Sequence, residues 1–326
     1  MHIPDGFLDG KTAVATGALA AAGLGIALWS VRRTFPPRRV PLIGLAAAFV
    51  FAAQMLNFPV AGGTSGHLIG AVLATVLLGP SAAVVVLGAV LILQCFLFAD
   101  GGLTALGANV FNMALVAPVV GFGVYALVRR VAGGGLRARL LATGFAAWCS
   151  TVAASVACAG ELAASGTVLW RVAFPAMAAV HMVIGLGEAA ITTLVVAAVA
   201  GVRPELVEEG SPATARAPRY AAVAAYGLLV ALGMVLFVAP VASGWPDGLE
   251  KVAATLGFEA KAAAPVLPAP LPGYAVPGLG RAVSSTVLAG AIGVMVAFAL
   301  AWLLAWALTS RKPAGGTPAL ESTAPA

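Results

Sequence analysis

Apolar residues in this chain follow neither a helical nor a strand period; they run on in stretches close to the roughly 17–25 residues that cross a bilayer as a helix. Such runs lie near 12–31, 40–57, 66–79, 81–99, 104–128, 140–164, 171–200, 220–240 and 283–308, nearly all rich in Ala, Leu, Val and Gly. With no water in the bilayer core, a helix is the element that satisfies its backbone within one segment. The pattern therefore predicts an all-α polytopic membrane protein of about nine spans. The third run is short, and Gly79-Pro80 allows 66–99 to be one broken element.

Polar stretches divide the chain. Residues 201–219 contain proline and charges of both signs, and read as a cytoplasmic linker. It would join a bundle of about seven helices over 1–200 to a two-helix module over 220–310, whose spans bracket an outer loop at 241–281. Within that loop Asp247 is placed to cap a short helix, with Glu250 closing a capping box and Gly257 ending the helix. The prolines of 265–272 exclude helix or central strand, and the tail 311–326 reads as disordered.

Composition agrees with the membrane reading: 61% of the 326 residues are hydrophobic, 9% are charged, and mean hydropathy is +1.02. Placing the amino terminus outside puts thirteen of the 18 Lys and Arg residues on the cytoplasmic side. The positive-inside rule then gives a multi-pass protein of the cell (inner) membrane, amino terminus extracytoplasmic and carboxyl terminus cytoplasmic. The net charge of +6 follows from these flanking arginines, and nothing points to nucleic acid. Cys95, Cys149 and Cys158 all fall in apolar runs and read as packing residues. The first run follows an acidic turn, Asp5 to Asp9, without a basic leader, so an uncleaved start is expected. His2 is too large for ordinary removal of the initiating methionine, so Met1 is expected to stay.

That start carries the most specific chemistry. The Met1 amine, the His2 amide and the His2 imidazole close a five- and a six-membered ring around one cation. His67, after Gly62-Gly63-Thr64-Ser65-Gly66, is a candidate fourth nitrogen. A planar nitrogen set suits Ni(II) or Cu(II), which also deprotonate an amide more readily than Zn(II) or Co(II) does. Asn57, Gln94, Asn109 and Asn112 are amides in or at the ends of spans; they either join helices or hold the site's loops. Asn109 and Asn112 share a helix face. His181 and Glu188, seven apart on one face of the seventh span, are intramembrane ionisable groups. They read as a mutual link, a partner contact, or the relay of a proton-coupled permease. Glu161 is expected to face water, and Asp100 to cap a helix starting near Leu103.

Two patterns mislead. Gly6 to Thr12 resembles a phosphate loop but has three residues between its glycines where four are required, so this chain is not expected to bind ATP. Gly63-Thr64-Ser65-Gly66 matches the short pattern of intramembrane serine proteases, with Ser65 as nucleophile and His181 as base, a weak signal in so Gly-rich a chain.

Longer motifs decide between these classes. They are Met1-His2-Ile3-Pro4-Asp5-Gly6-Phe7-Leu8, then Asn57 to His67, then Phe98 to Asn109 with Asn112, and Trp245-Pro246-Asp247-Gly248-Leu249-Glu250. In these the chain resembles the CbiM/NikM family, the substrate-binding (S) components of energy-coupling-factor (ECF) nickel and cobalt importers, with a NikN-like PDGLE module appended. The resemblance implies metal held by the Met1 amine, the His2 amide and imidazole, and His67. Asn57, Asn109 and Asn112 would support the loops. It also implies Ni(II), or alternatively Co(II), as transported substrate, with Pro4-Asp5 favouring the nickel branch. An ECF transmembrane coupling protein and cytoplasmic ATPase subunits would be the partners, and the accessory loop would meet the amino-terminal loop from outside.

Overall fold

The computed structural model describes residues 1–207, 220–279 and 283–310. Eight helices among these are long and apolar enough to cross a membrane. Helix α1 (Gly10–Thr34) starts at Asp9, whose side chain accepts from Thr12 N at 2.9 Å. Helix α2 (Val40–Met55) leads into a hairpin, β1 (Phe58–Val60) with β2 (Thr64–Gly66), paired in the register Phe58↔Gly66. Gly62 and Gly63 turn the hairpin at φ of 79° and 67°, which glycine adopts without penalty. Then come α3 (Ala71–Leu78) and α4 (Pro80–Leu93), the latter extended by a wide turn over Gln94–Phe98. Helices α5 (Leu106–Asn109) and α6 (Ala117–Ala132) are joined through a wide-turn segment, Val110–Val116, into one span. Helices α7 (Leu136–Ala164), α8 (Trp170–Val202), α9 (Tyr220–Phe237), α10 (Gly248–Leu256) and α11 (Val283–Thr309) complete the chain.

The expected third span is not a full helix. Residues 66–79 contain only the eight residues of α3, about 12 Å of helix against a hydrocarbon core of about 30 Å. Gly70 and Gly79, both at positive φ, bound it, and Pro80 starts the next helix. This short element survives because it is buried inside the bundle rather than facing lipid, where free backbone groups would go unpaired. Its far end reaches Arg39, whose guanidinium donates to the Leu77 carbonyl at 3.1 Å.

Helices α9 and α11 pack on α2, and α7 and α8 on each other. Small residues allow the close approach, as expected where lipid removes the hydrophobic drive between helices. Gly293 of α11 lies against the Phe51 ring, and Ala289, Ala297, Ala301 and Ala305 form the buried stripe of the same helix. One end of the bundle gathers the amino terminus, the hairpin, the 99–105 loop and α10. At the other end the buried Arg139 donates to the Val207 carbonyl. The segment read as a linker begins as helix: α8 runs to Val202 and a tight turn covers Pro204–Leu206. The rest of that linker, 208–219, and the tail at 311–326 lie outside the described residues.

Candidate functional site

The amino-terminal segment precedes α1 as irregular chain and is held by side chains from elsewhere in the bundle. Asn109 clamps Ile3 from both sides: its Oδ1 accepts from Ile3 N at 2.8 Å and its Nδ2 donates to Ile3 O at 3.1 Å. Gly102 N donates to the same carbonyl at 2.8 Å. Asp5 fastens the next residues, its Oδ1 accepting from Thr104 N at 2.8 Å and Thr104 Oγ1 at 2.6 Å. Met1, Ile3 and Phe7 are buried as a result. A Cβ at Gly102 would meet the Asp5 nitrogen and the Pro4 carbonyl carbon, backbone that cannot step aside. Gly102→Ala should therefore cost about 1–3 kcal/mol through overpacking and loosen the terminus. A lower melting temperature in detergent would show it; a variant equal to the parent would refute the close approach.

His67 comes from the opposite direction. Glu188 on α8 accepts from Ile69 N at 2.6 Å and Gly70 N at 2.9 Å, and Gln54 Nε2 donates to Ile69 O at 2.9 Å. These bonds satisfy the backbone of the irregular stretch that carries His67. Ser65 N donates to Pro246 O at 2.8 Å, and Ser65 Oγ to Trp245 O at 2.7 Å, tying the hairpin to the start of α10.

These restraints bring the Met1 amine to 2.7 Å from His67 Nε2. The His2 and His67 rings lie 5.2 Å apart, tilted by 51°. His2 Nδ1 stands 3.5 Å from Asp100 Oδ1, while its Nε2 is buried without a hydrogen-bond partner. Asp247 Oδ2 lies 2.5 Å from the Met1 amine. Met1, His67, His181, Asp247 and Gly248 line a small cavity here. Burial lowers the pKa of His2, with Asp100 opposing it. Burial lowers that of His67 further, aided by the terminal ammonium and by His2. Burial thus disfavours the charged form of both imidazoles, and the neutral form is the one that ligates metal. Burial would raise the Asp247 carboxyl, but the ammonium overrides it and holds the group well below the usual carboxylate range. Among the described residues, no three His, Cys, Asp or Glu side chains stand arranged to hold a metal ion by themselves. A chelate at this place has to draw on main-chain nitrogen.

The remaining candidates separate. Asn57 contributes its backbone carbonyl, which accepts from Ser243 N at 2.8 Å. Gln94 Nε2 donates to Tyr274 OH at 3.2 Å, and that hydroxyl donates to Asp100 Oδ2 at 2.5 Å. Asp100 therefore caps no helix; the next one starts at Leu106. Asn112 turns away from Asn109 and donates to Glu161 Oε2 at 2.6 Å, so Glu161 is a buried partner and does not face water. His181 and Glu188 share a face of α8 but not a bond, because His181 Nδ1 pairs with Met177 O at 2.8 Å. The capping box is present, with Glu250 N donating to Asp247 Oδ1 at 2.9 Å and Gly257 ending α10. The sequence by itself does not single out Asp5, Asp247 as a neighbour of the amine, or Tyr274. Asp5 lies inside the amino-terminal motif, and the capping box by itself accounts for Asp247.

Comparison with known proteins places this geometry in a family. Residues 2–206 match the family described as cobalt uptake substrate-specific transmembrane region, and residues 221–310 match the PDGLE domain. A protein of Archaeoglobus fulgidus bearing the NikMN fusion name is 37% identical over 306 residues, covering 93% of this chain and 98% of that one. The fused nickel transport protein NikMN of Rhodobacter capsulatus is 36% identical over 299 residues, 84% of each chain. The crystal structure of a truncated transition metal transporter, 39% identical, superposes with a TM-score of 0.56 over 62% of this chain and 99% of its own. With its amino-terminal clamp, its broken third segment and the α10 roof, the chain belongs to the cobalt uptake substrate-specific transmembrane family, fused to a PDGLE domain.

Proposed function

We propose that this protein is the metal-capturing membrane subunit of an ATP-driven ECF-type importer, taking Ni(II), or alternatively Co(II), from outside the cell. The observation that carries this reading is the 2.7 Å approach of the Met1 amine to His67 Nε2, across 66 residues of chain. The bound ion would take the Met1 amine, the His2 amide, His2 Nδ1 and His67 Nε2 as a nitrogen plane. His2 Nδ1 would exchange its place near Asp100 for the ion. Partner coupling and ATPase subunits would then release the ion inward, with the amino terminus outside and the basic end of the bundle in the cytoplasm. The transport names of the relatives support this reading, as does the position of α10 over the amino terminus.

The rival permease would need His181 and Glu188 to pass protons, yet Glu188 has both oxygens on backbone amides and His181 faces a carbonyl. As a protease nucleophile Ser65 would need an activating base, and its hydroxyl instead donates to the Trp245 carbonyl. The deciding experiment uses protein with a native, mass-verified amino terminus. Stoichiometric Ni(II) binding, and uptake into vesicles only with ATPase subunits and ATP, is the expected result. Uptake driven by a pH gradient without them would overturn it. Binding should also weaken in acid, because the amine and the amide lose protons to the ion. The limiting slope is about two log units of affinity per pH unit; a flat profile between pH 6 and 8 would contradict the chelate.

A further inference from the structure

The four-nitrogen plane leaves the α10 carboxylate unused, although it touches the same amine. Two donors about 2 Å from one ion and at right angles to each other stand about 2.8 Å apart. His67 Nε2 is 2.7 Å from the Met1 nitrogen, and Asp247 Oδ2 is 2.5 Å from it. Both spacings suit neighbouring ligands of a single ion. Charge points the same way. An amine, a deprotonated amide and two imidazoles bring one negative charge to a dication, leaving a single positive charge that an adjoining carboxylate offsets.

Resting on the chelate reading above, we propose that Asp247 is a fifth, apical ligand to the transported ion. The appended PDGLE module would then complete the coordination sphere of the other half of the chain. The carboxylate is fixed for this role. Its Oδ1 accepts from Glu250 N at 2.9 Å, its own backbone N–H donates to Glu250 Oε2 at 2.9 Å, and the preceding Pro246 carbonyl is held by Ser65 N at 2.8 Å. One oxygen caps the helix and the other faces the site. Its side chain is 14% exposed. Asp100 is the nearby competitor, but its side chain is 25% exposed, its Oδ2 accepts from Tyr274, and it meets His2 only at 3.5 Å. Gly248 keeps the roof low: a Cβ there would strike the His181 ring.

X-ray absorption at the nickel edge of the full-length, Ni(II)-loaded protein tests this directly. Planar four-coordinate Ni(II) gives a resolved pre-edge feature that an apical oxygen removes. We expect that feature to be absent from the parent and to emerge in Asp247→Asn, which keeps an effective helix cap while losing the negative oxygen. Nickel affinity should fall at least tenfold in the same variant. A parent spectrum already planar, with Asp247→Asn unchanged in spectrum and affinity, would overturn the fifth ligand and leave the chelate standing. A sphere dominated by oxygen, or binding indifferent to loss of His67, would remove the chelate and this proposal with it.

Discussion

Replacing His67 with alanine is expected to lower Ni(II) affinity by at least about a hundredfold, which is about 2.7 kcal/mol or more. The imidazole is the only donor in the plane that does not come from the first two residues, so its loss opens one equatorial position to water. It also removes the buried partner of the terminal amine, 2.7 Å away, leaving that group with Asp247 alone. The measurement is competition against a chelator of known affinity, on protein whose amino terminus has been verified by mass. An affinity within threefold of the parent would show that His67 does not reach the ion. A second arm isolates the plane. With one residue inserted between Met1 and His2, an amine, two amides and an imidazole lie in successive five-, five- and six-membered rings, a complete plane without any distant ligand. In that background His67→Ala should be nearly silent. The double-mutant cycle then gives a coupling close to the whole single-mutant effect.

Glu188→Ala should be the most damaging change away from the metal nitrogens. It strands the buried Ile69 and Gly70 amides, which now donate to Glu188 at 2.6 and 2.9 Å. Each unsatisfied buried donor costs about 1–3 kcal/mol, so a loss of about 2–6 kcal/mol is expected together with a looser His67 loop. Glu188→Gln keeps the volume and one acceptor oxygen but turns an NH2 toward one of the two donors. It should fall between alanine and the parent in melting temperature and in nickel affinity, with the two moving together. A proton relay would behave differently: glutamine would keep metal binding and stability while abolishing transport. That dissociation of readouts would sink the clamp.

Several features were legible in the primary structure because they depend on neighbours within a few positions. The spans rest on run length and hydropathy, and the α10 cap on Asp247 and Glu250 at three-residue spacing; the proposed three-donor chelate likewise rests on the covalent order of Met1 and His2. The asparagines show the limit of such reasoning. Asn109 and Asn112 sit three apart and suggest one shared role. Yet Asn109 reaches the Ile3 backbone while Asn112 meets Glu161, because the wide-turn backbone over Val110–Val116 sets Asn112 apart from Asn109.

Hydropathy and covalent spacing thus determined that this is a helical membrane protein, and the order of Met1 and His2 set the three nitrogens that the proposed chelate uses. Tertiary structure decided that residues 66–79 form a loop and a short buried helix, since their apolarity serves the bundle interior as well as it would lipid. It also decided what surrounds the amine: His67, 66 residues away, and Asp247, 246 residues away. Neither distance has a local signature, because each is set by the packing of helices that meet only once the bundle has closed.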